Sequence, residues 1–286
     1  MVLDVSGSMA TVRATNSSTP PRPGAKLPRL PSERKIYTLQ RVSLDLLDIL
    51  AARQRLPDHL HVAVLPFSGR VNIKRYAGDW MTGPTGSTTA TGTLCSGSRT
   101  GVADMDDTPP DSAPFRHFTG NPVSCPEPRA LALTADLAEV ERSIRDLEAG
   151  GSTNTDQGLA WGWRAISPRW RGDWGAAGHP YDYDDQGKRR KAVLIITDGE
   201  NTPHQTWDSY STSQADKRLE DACTALKRNG VDILAVNFDA PPSINALYRR
   251  CVSNASYWFD AKDAGELEAA FRQVARILGG RGRLVM

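Results

Sequence analysis

The apolar positions of this chain change period several times, and the changes mark its elements. Met1–Val5 is a short apolar run that reads as a buried strand. From Glu33 to about Arg55, Ile36, Leu39, Val42, Leu46, Leu47, Ile49 and Leu50 recur at helical spacing until Pro57 ends the pattern. "HLHVAVLPFSG" then reads as a strand, and "RVNIKRYAG" as its hairpin partner or continuation. Leu137, Val140, Ile144 and Leu147 form the stripe of a helix with Thr134 as N-cap and Gly150-Gly151 as its stop. "STNTDQGLAWGWRAIS" is a short loop leading into a helix that Pro168 breaks. "KAVLIITDGEN" is a continuous apolar run, the mark of a parallel strand covered on both faces. A helix over 214–229, the buried strand "GVDILAVNF", the short helix "INALYRRCV", the strand "SYWFDA" and an amphipathic closing helix complete the series. Strands and helices alternate throughout. That order predicts an α/β fold with a doubly wound, mostly parallel open sheet and right-handed crossovers, formed by residues 1–286 as one elaborated domain.

Three stretches carry no period. Residues 11–32 are rich in Pro, Ser and Thr and read as a loop. Residues 78–130 form a long irregular insertion, the kind of segment that is often functional or mobile. An aromatic, Gly-rich insert follows the Pro168 break and runs to Lys191. By position and length, the last two are expected to shape the choice of partner. Trp161 and Trp163 read as ordinary packing residues. Asp182, Asp184 and Asp185 read as a solvated loop, with a second calcium site as the alternative. Asn16-Ser17-Ser18 and Asn254-Ala255-Ser256 match a glycosylation pattern too short to carry weight.

Composition narrows the class. With 39% hydrophobic and 24% charged residues and a formal net charge of +2, the chain is neither disordered nor built for nucleic acid. No apolar run reaches the roughly 18 to 20 residues that span a bilayer, and Asp4 interrupts what would be a signal-peptide core. A buried central strand so near the start leads us to expect an N-terminally trimmed form of something longer. The four cysteines, Cys95, Cys125, Cys223 and Cys251, include no C-x-x-C pair, which disfavours structural zinc. Of three possible pairings, Cys95–Cys125 with Cys223–Cys251 is favoured. Reduced, buried thiols are the alternative, and disulfides would place the domain outside the cytoplasm.

Ligands of open α/β sheets bind at the carboxyl ends of the strands. Asp4 and Asp198 both end apolar runs, and "GGSTNTD" supplies a polar loop at a helix entrance. Asp4-x-Ser6-x-Ser8, Asp198 and Thr153, with Thr155 as its rival, make an all-oxygen donor set suited to a hard divalent cation such as Mg2+. Neutral hydroxyls leave the charge of such an ion largely unquenched, and therefore available to an acidic group from a partner. Taken singly, Asp4, Ser6, Ser8 and Thr153 could be helix caps and Asp198-Gly199 a turn; together they point to a metal.

Nothing in the chain reads as an enzyme. His59, His61, His117, His179 and His204 are scattered, and no nucleophile elbow or phosphate loop is present. The enzymatic alternative is a magnesium-dependent phosphohydrolase in which Asp4 attacks phosphate, although the second carboxylate of that design is replaced here by Ser6.

Asp4-x-Ser6-x-Ser8, Thr153 and the Asp198 of "TDGEN" resemble the metal-ion-dependent adhesion site of von Willebrand factor A domains. Within that group, "GGSTNTDQGLAWGWRAISPRWRG", "KAVLIITDGENT" and "CTALKRNGVDILAVNFDA" with the segment after it resemble the TadG-like proteins of bacterial tight-adherence (Flp pilus) assembly. The resemblance implies Asp4, Ser6, Ser8, Thr153 and Asp198 as ligands of Mg2+ or Mn2+, with Thr153 preferred over Thr155. It further implies a protein partner that presents an acidic side chain, an extracytoplasmic place, and a membrane anchor in a longer form. A structural assembly role, in which the metal only stabilises loops, is the alternative.

Overall fold

The computed structural model describes residues 1–11, 34–54, 59–76, 80–82, 94–99, 101–118, 124–175, 178, 180–183, 189–203 and 210–279. The Pro/Ser-rich loop, the first glycosylation pattern, Asp184, Asp185, His179 and His204 lie outside these residues, apart from Thr11 at the edge of the loop.

Six strands form one sheet in the order β5-β2-β1-β6-β7-β8. Here β1 is Val2–Asp4, β2 Val62–Phe67, β5 Leu131–Thr134, β6 Ala192–Thr197, β7 Asp232–Phe238 and β8 Trp258–Ala261. All neighbours run parallel except β5, which runs antiparallel to β2 at the edge. The doubly wound, mostly parallel sheet read from the sequence is the one observed. From β1 the chain winds outward through β2 and β5, then returns to β6 on the other side, so the topological switch point lies between β1 and β6. Val2, Leu3 and Asp4 are all fully buried, as a central strand requires.

The helices are α1 (Lys35–Ala51), α2 (Leu137–Arg145), α3 (Thr155–Ile166), α4 (Thr212–Arg228), α5 (Asn245–Cys251) and α6 (Ala264–Gly279). Two sequence expectations need correction. Thr134 does not cap α2; it ends β5, which the short mixed run "LALT" concealed, and Asp136 is the cap, accepting from the amides of Ala138 and Glu139. "RVNIKRYAG" is not a hairpin strand. Val71 makes one antiparallel bridge to Phe67, and Asn72 then turns away to bridge Cys95 and Arg129. Ser211 and Gln214 form a capping box that starts α4 two residues earlier than the apolar pattern predicts.

Every residue of α3 is buried. One side lies on β1 and β2 so closely that a Cβ on Gly158 would sit 2.6 Å from the Phe67 ring, and one on Gly162 2.5 Å from Val2. The other side is covered by the described parts of the insertion, which carry regular structure. Its strands β3 (Met81–Thr82) and β4 (Phe115–Arg116) pair in parallel, and the Cys95–Cys125 disulfide closes it. Trp80, Phe115, Trp161, Trp170 and Trp174 are all buried and pack ring to ring, for example Phe115 on Trp161 and Trp80 on Trp174, both at 5.0 Å. Trp161 and Trp163 are thus packing residues, as expected, Trp163 also donating to the Tyr183 hydroxyl at 2.7 Å.

Charge is buried here too. Arg164 donates to the carbonyls of Ala103, Asp104 and Asp106, and Arg218 from α4 pairs with Asp104 and Asp156. Asp107 accepts from Ser167 and Arg169 and from the Tyr183 hydroxyl. Burial pulls Arg164 down to about 9, so it remains charged at neutral pH and the surrounding acceptors are what make its position tolerable. The second predicted disulfide is also present, with Cys223 of α4 joined to Cys251 of α5.

Gly158→Ala should therefore destabilise the protein although alanine is the better helix former. Overpacking against Phe67 costs roughly 1–3 kcal/mol and the propensity gain returns about 1. A denaturant melt with an unchanged slope and a lower midpoint is the expected result.

Candidate metal centre

The ladder register sets the site. β1 pairs Leu3 with Ile196, so the next step places Thr197 beside Asp4 and Asp198 just beyond the strand end. Both strands stop at the same sheet edge because polar, turn-forming residues follow: Ser6-Gly7-Ser8 after β1 and Gly199-Glu200 after β6. The Asp4 carboxylate is held on both oxygens. Oδ1 accepts the Ser6 amide at 2.8 Å and Oδ2 the Thr197 hydroxyl at 2.7 Å. The hydroxyls of Ser6 and Ser8 lie 2.9 Å apart, and Ser8 Oγ donates to Asp198 Oδ1 at 2.6 Å. Hydrogen bonds through Ser6 and Ser8 thus link two aspartates that are 0% and 3% exposed, while Ser8 opens to solvent.

The third loop comes from the start of α3. Gly150 donates to Val5 and Gly7 to Gly151, which pins this loop against the turn carrying the serines. Thr153 is buried, and a Cβ on Gly199 would lie 3.9 Å from Ser8 Oγ and 4.0 Å from Thr153 Oγ1, so both hydroxyls border the same glycine. Thr155 is otherwise engaged: its Oγ1 accepts from the buried Tyr248 hydroxyl at 3.1 Å and its amide donates to Asn201. The structure thus brings Asp4, Ser6, Ser8, Thr153 and Asp198 to one place and sets Thr155 below them.

Three residues that the sequence reading missed complete the site. Tyr248 lies beneath it, its phenol pushed up chiefly by burial and further by the nearby Asp4 charge. Lys35, the first residue of α1, sends its ammonium to Asp198 Oδ2 at 2.9 Å. Asp239, just past β7, holds a left-handed backbone (φ 50°) and receives the same ammonium on its carbonyl at 3.3 Å. The one sequence signal at Asp239 is its place just past the apolar run of β7, and nothing in the α1 pattern marks Lys35.

Packing two carboxylates together out of water has an electrostatic cost. The Asp4 carboxyl is pushed up to about 6, first by burial and then by the Asp198 charge. The donor set suits a hard cation. It is all oxygen, it combines two anions with neutral hydroxyls, and a cation already stands on one of the carboxylates in the form of Lys35. Among the described residues no group of three or more His, Cys, Asp or Glu is placed to hold a metal, so any such ion depends on these hydroxyls. His59 and His61 precede β2, at the opposite edge of the sheet, and Asp182 is taken up by Arg171 at 2.8 Å.

Solved structures share this architecture. The pilus adhesin SpaC from Lactobacillus rhamnosus GG aligns with a TM-score of 0.53 at 13% identity, over 97% of this chain and 30% of that one. The vWF domain of the type V pili tip protein Mfa5 from Porphyromonas gingivalis aligns with a TM-score of 0.50 at 10% identity, over 99% of this chain and 96% of that one. The fold is that of a von Willebrand factor A domain. No family model matches the chain, and no curated protein is similar to it at a significant level. The chain spans less than a third of the length of SpaC.

The raised Asp4 carboxyl makes the protein pH-sensitive in a defined direction. In the fold the group keeps its proton up to about pH 6, against 3.8 for its ordinary value. The folded state therefore binds the extra proton between those values, and stability falls as pH rises from about 4 to about 6. Thermal melts in chelator should show wild type losing on the order of 2 kcal/mol relative to Asp4→Asn across that window. A flat difference would refute the assignment.

Proposed function

We propose that residues 1–286 act as one A-type domain that binds a protein partner through a divalent metal, as an adhesion or assembly module of a bacterial pilus or cell envelope. The observation that carries this reading is the oxygen cluster of Asp4, Ser6, Ser8 and Asp198 at the switch point, buried at its base and open to solvent at Ser8. Asp4, Ser6, Ser8, Thr153 and Asp198 would hold Mg2+ or Mn2+. When bound, such an ion supplies a Lewis-acid site with a coordination position for a carboxylate from outside.

The chain's own residues prepare that position. Thr197 and the Ser6 amide fix Asp4, Ser8 orients Asp198 through its hydroxyl proton, and Gly199 keeps the rim low between Ser8 and Thr153. A non-catalytic role is supported by Asp4 itself, which is fully buried with both oxygens engaged and so poorly placed to attack phosphate. SpaC is a pilus adhesin and Mfa5 a pilus tip protein, which supports a pilus-related setting. Two disulfides favour an oxidising, extracytoplasmic compartment, and no helix among the described residues is long and apolar enough to cross a membrane.

Calorimetric titration of Mg2+ and Mn2+ into wild type and Asp198→Ala tests the metal site. Saturable binding to wild type, weakened at least tenfold in the variant, is expected; heat that is the same in both would end this reading. Partner capture with Asp4→Ala then separates binding from scaffolding. Loss of capture with the fold intact supports a metal-bridged contact. Retained capture with a lowered Tm supports the alternative, a structural assembly domain whose metal only braces loops.

A further inference from the structure

The metal-site reading leaves Lys35 without a role, yet its placement is too specific for a solvated helix start. It opens α1, where its amide donates to the Thr11 carbonyl at 3.2 Å, so the helix begins directly against the turn that carries Ser6 and Ser8. The side chain is only 12% exposed. Its ammonium reaches Asp198 Oδ2 at 2.9 Å, the Asp239 carbonyl at 3.3 Å and the Asp239 carboxylate at 3.5 Å. It thereby joins the loop after β6 to the left-handed turn after β7, a non-glycine conformation that persists only where surroundings hold it.

Charge explains why a lysine is needed there. Asp4 and Asp198 are buried side by side. The contacts of Asp4 are the Ser6 amide and the Thr197 hydroxyl, both neutral, and Ser8 gives Asp198 only a hydroxyl. Among the described residues, Lys35 is the cation that forms an ion pair with this aspartate pair. The two oxygens of Asp198 are divided: Oδ1 faces the serines and Oδ2 faces the ammonium. A divalent ion among the serine hydroxyls would therefore share a carboxylate with a positive charge that sits on its other oxygen.

We propose that Lys35 is an internal counter-cation, which holds Asp198 and the neighbouring loops in place when no metal is bound and weakens metal binding when one arrives. The inference rests on the metal-site reading above and adds a residue that sets the site's affinity. The lysine lets the domain keep its shape without metal, and it makes loading depend on ambient metal concentration.

The test compares wild type, Lys35→Met and Lys35→Arg by Mg2+ and Mn2+ calorimetry and by thermal melts in chelator. Lys35→Met should melt lower without metal, bind metal on the order of tenfold more tightly, and regain its stability when metal is added. Lys35→Arg, which keeps the charge, should bind like wild type. If Lys35→Met does not fold, Lys35→Gln carries the same expectation, since it keeps a donor for Asp198 without the charge. Metal binding by wild type that is equal or weaker in the uncharged variants overturns this inference alone and makes Lys35 a positioning residue for Asp198. Binding by the uncharged variants where wild type shows none is its strongest support. Silence in every variant overturns both this inference and the metal site it rests on.

Discussion

Everything at the upper edge of this sheet follows from two carboxylates held next to each other out of water. Asp4 is buried because β1 is central, flanked by β2 and β6. Asp198 lies beside it because the β1–β6 register leaves it no other place. Isolated buried anions would be prohibitive, so each neighbour is a donor or a cation: the Ser6 amide, the hydroxyls of Thr197 and Ser8, and the ammonium of Lys35. The arrangement is frustrated as a piece of core and well suited as a receptor for positive charge. Burial elsewhere in the sheet supplies the stability that lets it persist.

The described parts of the insertion form the outer wall of α3. Their aromatic rings and the Arg164, Arg218, Asp104 and Asp156 network surround a helix that the sheet alone would cover on one side only. That matters for the cluster around Asp4 and Asp198 because the loop that presents Thr153 leads into α3. Arg218 on α4 reaches the same network from the C-terminal half of the chain, so both halves of the sequence grip this helix. The described parts of the insertion therefore act on the site through its foundation. Whatever they contribute to partner choice comes in addition to that support.

Much of this was legible in the chain. The alternation of strands and helices sufficed for the doubly wound sheet, because parallel strands buried on both faces leave uninterrupted apolar runs such as Val193–Ile196. The grouping of Asp4, Ser6, Ser8 and Asp198 was legible because these residues follow strand ends at a spacing that a helix or turn does not by itself demand. What escaped was of two kinds. Edge strand β5 is four residues long and leaves no alternating pattern over so short a span. Lys35, Tyr248 and Asp239 come from elements whose local sequence serves another purpose: an N-terminal helix turn, an apolar helix face, a strand exit. Only the three-dimensional winding brings them to Asp4 and Asp198, and no single stretch of sequence records that meeting.

The order of the strands also has a consequence in time. β1 is the first strand of the chain, but one of its two neighbours, β6, begins at Ala192. During synthesis, Met1–Val5 must wait for about 190 further residues before its second edge can be closed. Such long-range pairing is entropically slow to form and leaves an apolar edge open in the meantime. The segment that bears half of the carboxylate pair is thus enclosed only after β6 has been made, and its closure reports that the two halves of the sheet have met.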